Sequence, residues 1–176
     1  MTAEELLERY AAGERDFSGA DLEGADLRGA NLSPINFRKA NLRNADLSGA
    51  IICTSSLLRT DFSNAILKGM DLSSTCLAYA NLTNADLRCA NLRAVNFTEA
   101  NLTGANLESA NLTDTILRRA ELGRTKQDFS IMIGTDLEGA IFNGKEIKGL
   151  FCAYGAFYYY TIMPDGSTLV GPEYGR

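Results

Sequence analysis

From Phe17 to Leu122 an apolar residue recurs at every fifth position without a slip, twenty-two times in one phase. Seventeen of these centres are Leu, four are Phe (Phe17, Phe37, Phe62, Phe97) and one is Ile52; two positions before the centre, fourteen are Ala. The beat is cleanest from Ala100 to Thr113, where Ala-Asn-Leu occurs three times in succession. An α-helix advances about 100° per residue, so a five-residue step rotates the next centre by roughly 140° and spreads the centres around the cylinder. A strand alternates faces at every residue, so an odd step throws successive centres to opposite sides. A chain that turns a corner once per repeat has neither problem. With the centre labelled i, positions i and i−2 face inward, i−1, i+1 and i+2 face outward, and successive circuits stack as a solenoid.

Corner chemistry fits this reading. At i+2, nine of the twenty-two residues are Gly or Asn, which accept φ > 0 and suit tight turns. Pro34 holds the same position and cannot have φ > 0, so the corners are not all of one type. Eight residues depart from Ala at i−2: Arg15, Ile35, Ser55, Thr60, Met70, Thr75, Val95 and Thr115. Small local adjustments are predicted at each.

Ala80-Asn-Leu, Ala85-Asp-Leu, Ala105-Asn-Leu and Ala110-Asn-Leu resemble, letter for letter, the A(D/N)LXX motif of the pentapeptide repeat family, and the likeness covers about two thirds of the chain. The resemblance implies an all-β solenoid, a right-handed quadrilateral β-helix with four repeats, hence twenty residues, per coil. Periodicity alone does not set that number. Like charges avoid stacking, and at i−1 a lag of twenty pairs two Asp only at Asp26 and Asp46, whereas a lag of twenty-five does so three times. At the usual inter-strand spacing the repeat tract stands roughly 26 Å tall. The domains expected are a capping helix at 1–14, the repeat β-helix at 15–144, irregular near 125–134, and an aromatic-rich cap and tail at 145–176.

The helix has its own signals. Thr2 as N-cap with Glu5 three residues on forms a capping box, and Met1 can staple to Leu6. Leu6, Leu7, Tyr10 and Ala11 make an apolar stripe, and Gly13 suits the C′ position. Such a cap covers the leucine core and free strand edges of the first coil. At the other end, Thr135-Asp-Leu-Glu-Gly and Ala140-Ile-Phe-Asn-Gly are good repeats, but the centre at Gln127 is polar. Either residues 126–129 bulge as a loop or a coil carries a polar centre; a buried amide needs partners, which favours the loop. From Lys145 the motif fails, and Phe151, Tyr154, Phe157, Tyr158, Tyr159 and Tyr160 crowd together. They read as a lid over the last coil, with an aromatic ligand cage as the other reading. Pro164-Asp-Gly-Ser is predicted as a turn and Thr168-Leu-Val as a return strand.

Charge narrows the function. The net charge is −5, yet the tract from Arg15 to Arg124 holds twelve Lys or Arg and twelve Asp or Glu. A neutral mixed tract lacks the basic stripe that sequence-independent nucleic-acid binding requires. The opening MTAEELLERY is acidic where a signal peptide is basic, and no apolar run approaches membrane length. No membrane association and a cytoplasmic location are expected; for a chain of photosynthetic origin, a processed lumenal form stays open. Cys53, Cys76, Cys89 and Cys152 form no CxxC, and His is absent. Free thiols, no metal and no cofactor are expected. The outward Asp residues at i−1 look like a carboxylate array, but Asn alternates with them and supports turn chemistry, not acid/base work. An enzyme is not expected.

What remains is a non-enzymatic repeat scaffold, a protein-interaction or structural module with an unknown protein partner, monomeric or dimeric. The alternative comes from the resemblance: family members associated with quinolone resistance mimic B-form DNA and occupy the DNA site of type II topoisomerases. That mechanism wants an acidic rod, whereas this tract clusters Arg38, Lys39, Arg43 and Arg59 in its first half. The chain also resembles short pentapeptide proteins of photosynthetic bacteria, a few of which are linked to control of cell differentiation. With four repeats per coil, Lys39, Arg59, Tyr79, Glu99 and Arg119 form one vertical ladder, with Leu58 and Cys76 on the same face. Exposed Leu and Tyr among cations are enriched where proteins bind, so Leu58, Arg59 and Tyr79 are the candidate docking residues.

Overall fold

The structure, a computed structural model, describes residues 1–125, 135–138, 140–141, 161–163 and 165–169. Its repeat tract is a four-sided stack. Parallel bridges join i−1 residues to the i−1 residue twenty positions on, without a gap from Asp16–Asn36 to Asn101–Glu121 and again at Ile116–Asp136 and Glu121–Ile141. Twenty residues, four repeats, therefore make one coil. On each side the ladder is narrow: the N–H of Leu82 donates to the carbonyl of Asn101 at 2.7 Å, and the N–H of Asn101 returns to the carbonyl of Ala80 at 2.9 Å. The corner adds a rung of its own, as the i+2 N–H of Tyr79 donates to the Thr98 carbonyl at 2.9 Å. Each turn is then closed by the next i−2 N–H, for example Ala85 to Leu82 at 3.0 Å.

This bonding explains the inward and outward positions. The centres from Phe17 to Leu122 are all buried, as are nearly all the Ala residues at i−2 from the second coil upward. Burying each Leu contributes about 1.5 to 3 kcal/mol. Polar departures at i−2 are satisfied where they stand: the buried hydroxyls of Thr60, Thr115 and Thr135 donate to the carbonyls of Phe37, Leu92 and Leu112 at 2.7, 2.8 and 2.8 Å. Arg15 leaves the pattern altogether. It is exposed, donates to the carbonyls of Tyr10 and Glu14, and lies 3.8 Å over the Tyr10 ring.

Twenty-one of the twenty-two i+2 residues are left-handed, including fifteen that are not Gly. Pro34 is the exception, and the Ser33–Pro34 peptide is cis. Left-handed backbone costs an ordinary residue roughly 1 to 2 kcal/mol, and the repeated corner bonds offset it. Corner identity is therefore dictated by the ladder rather than by residue preference.

Helix α1 spans Ala3–Ala11. Thr2 caps it by accepting the Glu5 N–H at 3.1 Å, but the Glu5 carboxylate turns to Arg9 at 3.6 Å instead of closing the box. At the other end the N–H groups of Gly13 and Glu14 return to the carbonyls of Tyr10 and Arg9 at 3.0 Å each, a Schellman motif with Gly13 at φ 100°. The expected apolar stripe needs correction. Leu6 is fully buried and Met1, Ala3 and Tyr10 pack against the core, whereas Leu7 is 41% exposed and Ala11 is exposed. The helix is anchored laterally instead, with the Tyr10 hydroxyl donating to the Ser33 carbonyl at 2.9 Å.

Beyond the tract, β1 (Thr161–Ile162) pairs antiparallel with β2 (Thr168–Leu169). Of the expected turn and return strand, Asp165 to Ser167 and Thr168 and Leu169 are described and lie in that hairpin. Strand β1 also joins the stack: Ile162 bridges Ile141, one residue later than the repeat period, and the buried Thr161 hydroxyl donates to the Leu137 carbonyl at 2.6 Å. A strand stacked on the repeat tract thus lies inside the segment expected to be cap and tail. The Gln127 loop, the aromatic lid over 150–160 and Cys152 lie outside the described residues. Among the described residues no helix is long and apolar enough to cross a membrane.

Candidate protein-docking face

Between Asp16 below and Asp136 above, five successive coils place residues 36–39, 56–59, 76–79, 96–99 and 116–119 on one side. Its i−1 residues Asn36, Ser56, Cys76, Asn96 and Ile116 bridge one another in that order. Its i+2 residues follow suit. The N–H groups of Lys39, Arg59, Tyr79 and Glu99 donate to the carbonyls of Leu58, Ala78, Thr98 and Arg118 at 2.9 to 3.0 Å, which stacks the five side chains of the expected ladder. All five are left-handed, with φ between 54° and 59°. Tyr79 is 47% exposed and Leu58 and Cys76 are half-buried.

Contacts along the ladder alternate in kind. The Arg59 guanidinium lies 5.4 Å from the centroid of the Tyr79 ring, a cation–π contact of about 0.5 to 1 kcal/mol at an exposed site. Two rungs higher, Arg119 reaches the Glu99 carboxylate at 3.8 Å. Leu58, Arg59 and Tyr79 are brought together as expected. The sequence reading passed over Ile116, 37% exposed at i−1 of the same side; an apolar residue where Asp or Asn is the rule was the available signal.

The outward Asp and Asn side chains have a structural task. Their Oδ1 atoms accept the N–H of the residue two positions on, as Asp61 does from Ser63 at 2.9 Å and Asn96 from Thr98 at 2.9 Å. At four of the five steps where Asn stacks on Asp, its amide donates to the carboxylate, as Asn36 does to Asp16 at 2.9 Å and Asn91 to Asp71 at 3.0 Å. The one Asp-on-Asp step, Asp26 under Asp46, is bridged by Arg28 at 2.6 and 3.9 Å. Hydrogen bonds from Arg28 and Arg88 hold the Asp26 and Asp86 carboxyls below the usual aspartate range. These carboxylates stay ionised and engaged, the opposite of what a general acid needs. Among the described residues no His, Cys, Asp and Glu group could hold a metal ion, and Cys53, Cys76 and Cys89 are free thiols on three different sides.

A family model described as pentapeptide repeats matches this chain over residues 16–52, 55–93, 75–114, 90–126 and 105–144. Similar solved structures include HetL, a pentapeptide repeat protein involved in heterocyst differentiation regulation from the cyanobacterium Nostoc sp. strain PCC 7120. The two are 25% identical over 96% of this chain and 100% of HetL, with a TM-score of 0.50. The pentapeptide repeat protein alr5209 from Nostoc PCC 7120 is 31% identical over 79% of this chain and 93% of its own, with a TM-score of 0.36. QnrB1, a plasmid-mediated fluoroquinolone resistance protein, is 19% identical over 89% of each chain, with a TM-score of 0.47. None of the curated proteins matches. Proteins of this repeat class fold as right-handed quadrilateral β-helices and are generally non-enzymatic structural or interaction modules.

Proposed function

The chain belongs to the pentapeptide repeat family, and on that premise we propose that it is a non-enzymatic interaction module, wound with the family's right hand, that docks a protein partner through Leu58, Arg59 and Tyr79. The observation that carries the proposal is the stacking of Arg59 on Tyr79 beside half-buried Leu58. An aromatic ring and an aliphatic side chain around a guanidinium combine the residue types that dominate binding energy at interfaces. The rigid ladder beneath them removes most of the ordering cost of binding. Similarity to HetL, a protein involved in heterocyst differentiation regulation, supports an interaction role for this chain. DNA mimicry is the weaker reading, because the cations of this side oppose an acidic rod.

The test compares the parent chain with Leu58→Asp plus Tyr79→Ala. Partners captured from the native cell extract by the parent are identified, purified and titrated against both proteins. Binding by the parent and its loss in the folded variant is the expected result; a folded variant that retains every partner overturns the proposal. The reading carries a cytoplasmic location, checked by fractionating the same cells.

A further inference from the structure

We infer that the partner presents to this face an acidic protein segment with an apolar anchor. The inference rests on the docking reading above and adds the partner's chemistry. Its basis is where positive charge is left unpaired. From Arg28 onward, Arg28, Arg88, Arg93, Arg118 and Arg119 each have a carboxylate within ion-pair reach. Arg38, Lys39, Arg43 and Arg59 have none among the described residues, and all four are exposed. The two other cations of the described tract, Lys68 and Arg124, stand singly, one on another side and one at the far end of the tract.

The repeat explains why two of these four, Arg38 and Arg43, lack a carboxylate of their own. Arg28 and Arg88 fold back onto Asp26 and Asp86, two residues earlier at i−1. Arg38 and Arg43 follow Asn36 and Asn41 instead, whose amide oxygens accept only their backbone N–H groups, at 3.1 and 3.2 Å. The carboxylates one coil below those Asn residues, Asp16 and Asp21, accept the Asn amides at 2.9 and 2.8 Å, and Glu23, one coil below Arg43, accepts from Asn41 and Asn44 at 3.4 and 3.3 Å. At Arg38 and Arg43, Asn in place of Asp thus removes a counter-charge and its amide engages the carboxylates of the coil below.

Patch shape selects the ligand. Lys39, Arg59 and Tyr79 occupy three successive rungs, Arg38 and Leu58 flank them, and Arg43 stands around the adjoining corner. Three rungs span about 10 Å, the reach of three or four extended residues. Asp16 below and Glu99 above end the run of positive charge on this side. A groove that follows a nucleic-acid backbone needs a longer stripe of cations. Carboxylates suit the free guanidinium forks, and an apolar side chain between them packs on Leu58 and Tyr79.

The experiment uses the full chain and a fluorescent peptide of alternating Glu and Phe, read by anisotropy, with a Gln-for-Glu peptide as control. Expected is binding of the Glu peptide that weakens at least about tenfold in Arg38→Glu/Lys39→Glu/Arg59→Glu, with Lys68→Glu unchanged and both variants folded by circular dichroism. Equal affinity for the Glu and Gln peptides, or no weakening in the triple variant, overturns the inference. So does tighter binding of a single-stranded oligonucleotide or of phosphatidylserine vesicles than of the Glu peptide. A partner lost by Leu58→Asp plus Tyr79→Ala but kept by the triple variant overturns the acidic assignment alone and leaves the docking reading standing. Glu-peptide binding that the triple variant loses, with every partner kept by Leu58→Asp plus Tyr79→Ala, overturns the docking reading and the apolar anchor and leaves only recognition of acidic charge.

Discussion

Ser55 completes, one coil on, the hydrogen bonding that Pro34 interrupts. At other corners the i+2 N–H bonds the i+1 carbonyl of the next coil, but Pro34 has no N–H to offer the Cys53 carbonyl. The Ile35 N–H, whose counterparts close their turns on the preceding centre, is also redirected. The Ser55 hydroxyl serves both: it accepts from Ile35 at 3.0 Å and donates to the Cys53 carbonyl at 3.1 Å. Ser55→Ala restores the commonest residue of the repeat, yet it should lower stability by about 1 to 3 kcal/mol by stranding a buried N–H. In a Pro34→Asn background the same change should cost less, and thermal unfolding of the four proteins measures the coupling. Additive effects would contradict the shared repair.

The core register makes a second prediction. Leu82 and Ala85 are fully buried, so Leu82→Arg or Ala85→Arg puts an unpaired charge in the stack and should unfold or fray it. Thr83→Arg should change the melting temperature little. Arg43 and Arg93 already occupy the equivalent position above an Asn. Equal melting temperatures for the inward and outward substitutions would refute the register.

Acid sensitivity follows from Asp86. The Arg88 hydrogen bonds hold its carboxyl below the ordinary aspartate range in the fold. A depressed carboxylate contributes stability that is complete above the unfolded value of about 3.9 and disappears as the pH falls through the folded value. Asp86→Asn, which keeps an Oδ1 acceptor, should cost little at neutral pH and flatten the loss of stability below about pH 4. Urea titrations across that range check the slope; a parallel decline in both proteins contradicts the assignment.

Removing residues 1–13 should uncover the buried centres and free strand edges of the first coil. The truncated chain is expected to self-associate in light scattering. A monodisperse product as stable as the parent would show that α1 is not a cap.

The neutral tract makes a last prediction. Supercoiling by a type II topoisomerase should proceed unchanged at micromolar protein, because the rod lacks the acidic surface that duplex mimicry demands. Potent inhibition in that assay would overturn the charge argument.

Much of this was legible because five is a period that neither helix nor strand can use, so Leu and Ala at fixed offsets declared the solenoid directly. The number of repeats per coil was not in the period, and only weak charge statistics at Asp26 and Asp46 hinted at it. Gly and Asn flagged nine corners, but Lys39, Arg59 and Tyr79 adopt the same left-handed backbone against their own preference. Ladder bonds outweigh local propensity there. Leu7 was misread because an amphipathic wheel gives the stripe and not its tilt; the Tyr10 bond to Ser33 sets the tilt. The partnership of Pro34 with Ser55 spans a coil and leaves no local mark. Leu58 and Tyr79 became neighbours only once the twenty-residue lag was assumed.

That lag gives the exterior a translational symmetry. Along the described tract an outward site recurs at an equivalent site twenty residues away, displaced by one inter-strand step of about 4.8 Å. A recognition pattern written at Leu58, Arg59 and Tyr79 can therefore be rewritten at Ala78, Tyr79 and Glu99 with no change to the interior. Such a molecule can tune how far its contact stands from either end in fixed increments, as a graduated ruler does.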